Sequence, residues 1–171
     1  ASVTAKSFSN NTNLRNIIHV HGQLGESIII GVDHPAQMKN EVFRNNEDIK
    51  DIMIKIESNE SMKETRHMEC ERLIANANVI VLFGVSLGET DARWWKLIGQ
   101  NLKRRRNLAI IQHLYNPGAI NPTQRQKIRR LEREQQEYLL QRMEVKMEIG
   151  DVDIIDRLFF TVNEPIFKIL P

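Results

Sequence analysis

Uninterrupted apolar runs alternate along this chain with stretches in which apolar residues recur every three or four positions. The clearest run is Val79-Ile80-Val81-Leu82-Phe83. It is rich in β-branched residues, has no polar break and stops at Gly84, which predicts a strand buried on both faces. Leu108 to Leu114 predicts a second buried strand, and Arg15 to His21, Ser27 to Val32 and Leu158 to Val162 predict three more. Between them, Ile49, Ile52, Met53 and Ile56 fall on one side of a helix over Glu47 to Ile56. Ser61, with Glu64 three positions on, forms a capping-box pattern for a helix reaching Asn76, with Met62, Cys70, Leu73 and Ile74 toward the core. Trp94, Ile98 and Leu102 form the stripe of a helix over residues 91–104, and a long charged helix spans 123–147. Residues 1–14 are polar and read as a loop or frayed terminus, 33–46 as a loop, the Asn-Pro-Gly and Asn-Pro region 115–122 as a loop, and 151–157 as a helical turn.

Strands separated by helices of this length predict an α/β fold: a Rossmann-like, mostly parallel sheet flanked by helices, with Val79–Phe83 and Leu108–Leu114 central. The 171 residues suffice for one domain with its own core, so residues 1–171 are read as a single domain. A formal charge of +2 gives no bulk attraction to nucleic acid. One cysteine, Cys70, excludes a disulfide framework and a cysteine-based zinc site. No apolar run is long enough to span a membrane and no signal-peptide pattern opens the chain, which points to a cytoplasmic protein without a membrane partner. The first residue is alanine, which suggests a processed product or a piece of something longer.

Candidate chemistry sits where two predicted strands end. After Phe83 come Gly84-Val85-Ser86-Leu87-Gly88 and a polar cluster ending at Asp91, where a helix begins. A strand, a glycine turn and a helix start are how an open α/β sheet presents a ligand site. An ordinary turn is the competing reading. His19-Val20-His21-Gly22 also closes an apolar run, and His21 there faces the same kind of crevice with a side chain that exchanges protons near neutral pH. A structural histidine is the alternative. His19 and His21 share one strand face and could share a metal, with Asp33-His34 following. Metallohydrolases with that spacing need a full barrel and further ligands, so no metal is expected. Lys103-Arg104-Arg105-Arg106 ends a helix, where cations complement the dipole. Arg130/Glu134 and Arg133/Glu137 are spaced to support an exposed helix face, with Ile128, Leu131, Tyr138, Leu139 and Met143 as a modest apolar stripe.

Taken together, His19-Val20-His21-Gly22, Ile28-Ile29-Ile30-Gly31-Val32-Asp33 and Phe83-Gly84-Val85-Ser86-Leu87-Gly88-Glu89-Thr90-Asp91 resemble the phage abortive-infection AbiH family over roughly residues 15–115. That family resembles the sirtuin-like Rossmann group. The resemblance implies NAD or a related nucleotide as ligand and a role in antiphage defence. It implies His21 as the catalytic base on the ribose, and Gly22, Gly84, Ser86, Leu87 and Asp91 as cofactor-binding residues. The family's opening Gly-Asn-Gly-Phe-Asp element and its Asn-Tyr-Thr element have no match here, Asn10-Asn11-Thr12 being a poor echo. The four-cysteine zinc module of sirtuin deacylases is absent too. The resemblance therefore implies the carboxyl-terminal part of a longer protein, an incomplete sirtuin-like domain. It implies NAD cleavage in the full-length protein rather than deacylation, and a chain inactive alone, partnered by a missing amino-terminal segment or by copies of itself. A non-catalytic nucleotide-sensing or assembly module is the alternative.

Overall fold

The computed structural model describes residues 17–25, 28–61, 65–115, 125–148 and 152–163. Its centre is a three-stranded parallel sheet in the order β1 (Val79–Leu82), β2 (Ala109–Leu114), β3 (Leu158–Val162). Each parallel connection requires a crossover, and helices supply it. Numbered from the start of the chain, the helices are α1 (Glu41–Arg44), α2 (Glu47–Met53), α3 (Lys55–Ser61), α4 (Arg66–Asn76), α5 (Ala92–Arg104), α6 (Arg125–Arg142) and α7 (Val152–Ile155). Helix α5 lies between β1 and β2 in the chain, and α6 and α7 lie between β2 and β3. This is the mixed α/β, Rossmann-like architecture that the alternation of apolar runs and helical stripes predicts.

The main core forms on one face of the sheet. Leu82, Ile110 and Leu158 meet Trp95, Ile98 and Leu102 of α5, Leu139 and Leu140 of α6, and Ile154 of α7. Ile74 of α4 packs against the same cluster. The buried stripe of α5 runs through Trp95 rather than Trp94, which is only half-buried. Both tryptophans fit a helical period with Ile98 and Leu102, and packing selects the one whose indole Nε1 donates to the Gly88 carbonyl at 3.1 Å. Gly99 lets α5 approach the segment after α6, since a Cβ there would overlap the Met143 carbonyl oxygen.

The opposite face differs from the expected strand buried on both sides. In register, Val81 sits beside Ile111 and Ile111 beside Phe159. Val79, Val81, Phe83 and Phe159 are exposed, and β1 is an edge strand of the described sheet rather than a central one. The unbroken apolar run of β1 reads as buried, but burial alternates along it because the described helices of the core cover one face only.

The amino-terminal elements also differ. Residues 17–21 and 28–32 form no strand among the described residues. The first stretch closes into a turn in which the Gly22 N–H donates to the His19 carbonyl at 2.8 Å, with Gly22 at φ +84°. The second contributes a single parallel bridge, Val32 with Ile54. Forming it breaks the expected helix over 47–56. The Val32 N–H donates to Met53 O at 2.9 Å, the Lys55 N–H donates to Val32 O at 3.0 Å, and Ile54 adopts extended φ −92°, ψ 117°. Ile54 is buried in consequence, while Ile52 of the expected stripe stays largely exposed and Met53 and Ile56 partly so. The expected 33–46 loop holds a 3-10 turn at Pro35–Gln37 and helix α1. Glu64 of the expected capping box lies outside the described residues, and α4 starts at Arg66 after Thr65, which makes no side-chain cap bond. The 116–122 loop likewise lies outside them.

Candidate functional site

Two separate places hold the residues singled out from the sequence. The first is a cleft of about 480 Å³ at the carboxyl ends of β1 and β2, floored by the turn Gly84-Val85-Ser86-Leu87 and walled by Leu131, Gln135 and Tyr138 of α6. Gly84 has φ +64°, a left-handed conformation that turns the chain sharply off the strand. Leu87 is buried in the core and anchors the far side of the turn, and its carbonyl accepts from the Tyr138 hydroxyl at 3.3 Å. Ser86 is exposed. Gln112 of β2 lines the cleft and is buried, yet its Oε1 has no hydrogen-bond partner. A buried acceptor without a partner is costly, and a ligand donor would satisfy it. None of the residues lining this cleft is acidic, and none is a lysine or arginine.

The second place is built around the start of α5. His21 Nε2 lies 3.3 Å from Asp91 Oδ1. The same Asp91 oxygen accepts from Lys55 Nζ at 2.7 Å, and Lys55 also donates to the Thr90 carbonyl at 2.5 Å. Asp33 Oδ1 stands 3.7 Å from Lys55 Nζ. The Val32–Ile54 bridge explains this meeting, because pairing those two residues sets their successors Asp33 and Lys55 beside each other. Gly31 permits the approach, since a Cβ there would overlap the Met53 carbonyl oxygen. Asp33 Oδ2 accepts from the Arg93 backbone N–H at 2.9 Å and so caps α5 from a distant segment. Asp91, at the N-cap position of α5, makes no side-chain cap bond of its own. Arg93 pairs in turn with Glu71.

His21, Asp33, Lys55, Asn59, His67, Arg93 and Trp94 line a cavity of only about 10 Å³. That is room for about one water. Asn59 Oδ1 and His67 Nδ1 are buried there without partners, as polar atoms bridged by such a water would be.

The structure thus brings His21 and Asp91 together and places Gly84, Ser86 and Leu87 in a different recess. Gly22 shapes the His21 turn, and the 3-10 turn Glu89–Asp91 joins the two places along the chain. His19 is exposed, and no group of three or more His, Cys, Asp or Glu side chains that could hold a metal occurs among the described residues. Lys55 and Gln112 carry no local sequence signal: the first lies in an apparently continuous helix, the second in an apolar strand. The only hint for Lys55 is Ile54, which falls off the helical stripe. Of the basic run that ends α5, Arg105 is taken up by the fold, donating to the Ala75 and Ala77 carbonyls at 2.5 and 2.9 Å.

No helix among the described residues is long and apolar enough to cross a membrane. Compared with known proteins, the chain matches the model of the family described as bacteriophage abortive infection AbiH over residues 5–113. No curated protein and no solved structure matches. The matched span takes in His21, Asp33, Lys55, the Gly84 turn, Asp91 and Gln112, so this chain belongs to the bacteriophage abortive infection AbiH family.

Proposed function

We propose that the chain is a nucleotide-binding domain of an antiphage abortive-infection protein, and that NAD or a related nucleotide is its ligand. The observation that carries this reading is the 480 Å³ cleft at the ends of two parallel strands, where a buried Gln112 acceptor lacks a partner. Its volume suits a small organic ligand. Ser86 and the backbone of the Gly84 turn offer donors, and Gln112 accepts from the ligand. With no carboxylate, lysine or arginine in its lining and His113 as its one titratable imidazole, the cleft suits an uncharged part of the nucleotide. The rest of an extended dinucleotide would run past Glu89–Asp91 toward His21, which acts as base on a ribose hydroxyl. NAD, when bound, supplies the glycosidic bond to be cleaved.

A chemical-shift titration of the 171-residue chain with NAD and with ADP-ribose tests the reading. Perturbations confined first to Gly84–Leu87 and Gln112 are expected, with weak affinity because the sequence carries no Gly-Asn-Gly-Phe-Asp cradle for the phosphates. No perturbation at saturating ligand would sink it. Nicotinamide release, assayed alongside in a protein that shows it, should disappear on His21→Ala while binding persists. Binding without release by the full-length protein would favour the second reading, a sensing module.

A further inference from the structure

We infer that Asp91 and Lys55 are positioning residues that decide which nitrogen of His21 works: Asp91 holds the Nε2–H, leaving Nδ1 to take a proton from a ligand hydroxyl. This rests on the reading of His21 as a base. A neutral imidazole carries one proton, and the nitrogen beside a carboxylate is the one that keeps it. Nε2 is the nitrogen turned to Asp91, 3.3 Å from Oδ1.

The carboxylate is not free to choose another partner. An aspartate at a helix N-cap ordinarily accepts from its own helix. Here Asp33 accepts from the Arg93 N–H, so Asp91 is released from capping. Lys55 then holds Asp91 Oδ1 at 2.7 Å, and Lys55 is itself buried and fixed by the Thr90 carbonyl. The charged and titratable groups around the imidazole are therefore Asp91, Lys55, Asp33, Arg93 and His67, which come from four different segments of the chain. Lys55 faces two carboxylates, and without it Asp33 and Asp91 would have no shared cation. In the proton transfer, the ligand O–H bond breaks and an Nδ1–H bond forms. The resulting imidazolium keeps its Nε2–H toward Asp91, whose negative charge offsets the new positive one.

The test is nitrogen-15 NMR of the whole chain with labelled histidine, above pH ~8 so that an ordinary histidine of pKa about 6.5 is neutral. His21 is assigned by the signal lost in His21→Gln. The expected spectrum shows a protected Nε2–H proton and an unprotonated Nδ1. Lys55→Met and Asp91→Asn should each abolish the protected Nε2–H signal, and Lys55→Arg should restore it. The Trp95 indole signal, held by the Gly88 carbonyl, reports that each variant is folded. If Lys55→Met does not fold, Asp91→Asn against the wild type decides. An Nδ1–H tautomer in the wild type, or an unchanged Nε2–H signal in the folded variants, would overturn the proposal. No chemical-shift perturbation at saturating NAD, with the expected spectra, would count against the NAD reading alone.

Discussion

At Gly84 the backbone sits at φ +64° and a Cβ would meet nothing within 4 Å. At Gly99 a Cβ would overlap the Met143 carbonyl oxygen. The first position is restricted by conformation and the second by crowding, and the costs should differ accordingly. Gly84→Ala should lose about 1 kcal/mol of stability, the strain of a left-handed residue. Gly99→Ala should lose about 1–3 kcal/mol, because backbone must move. Urea unfolding of the two variants checks the order. Arg157 is a third such residue: its Nη1 donates to the Leu102, Arg105 and Leu108 carbonyls at 2.9, 2.8 and 3.2 Å, tying the end of α5 to the starts of β2 and β3. Arg157→Ala should cost about 2–3 kcal/mol, since a charged donor shared by three carbonyls is lost. Cys70 is half-buried, and its thiol pKa is raised first by that burial and then by Glu69 and Glu71. A raised pKa means less thiolate, so alkylation by iodoacetamide at pH 8 should be slower than for a free cysteine. The dependences at Gly99 and Arg157 are not visible in the sequence, where the one is a glycine in a helix and the other one more charge, because their partners are tens of residues away.

Among the elements, those with a strong local period were legible. The β1 and β2 runs, the α5 stripe and the charged α6 helix occur close to where the pattern puts them, because each carries its own apolar signal. What the pattern could not supply was company. The apolar residues at 17–21 and 28–32 look like strands, but a strand exists only beside another, and among the described residues these stretches make one bridge, Val32 to Ile54, and one bond to each other, from the Ile29 N–H to the His21 carbonyl. That same bridge splits a helix whose periodicity was otherwise sound. The candidate site divides along the same line. Gly84, Ser86 and Asp91 were singled out from a glycine turn at a strand end and His21 from a strand end that the described residues do not form, whereas Lys55, Asp33 as a helix cap, and Gln112 depend on tertiary pairing. The two faces of the sheet should respond differently to substitution. Leu102 is fully buried on the covered side, so Leu102→Ala should cost about 2–5 kcal/mol. Val81 is exposed on the other, so Val81→Thr should fall within about 0.5 kcal/mol of wild type. Thermal unfolding of both checks the asymmetry, and a large loss at Val81 would mean that this face is covered in solution.

On the scale of the whole molecule, the main core cluster draws no residue from 17–61 among those described. That segment buries Ile29, Met38 and Ile54 apart from it. It meets the sheet domain through polar contacts at the start of α5: Gln37 Nε2 to the Glu89 carbonyl at 2.7 Å, Asp33 to the Arg93 N–H, and Lys55 to Thr90 and Asp91. Attachments with little apolar burial sit at the low end of a protein's local stability. The Arg93 amide therefore serves as a built-in reporter. Its hydrogen exchange should proceed through detachment of the segment, with a protection factor well below that of Ile110 in the sheet, and Asp33→Ala should remove what protection it has. Equal protection at the two amides would show that the molecule opens only as a whole. Because Asp33 protects that amide and sits beside the lysine that holds Asp91 toward His21, each excursion that exposes Arg93 also takes the imidazole out of alignment. On the proposed reading of His21 as a base, the fraction of time its imidazole is held in place can then be read, without any ligand, from the exchange rate of one backbone proton.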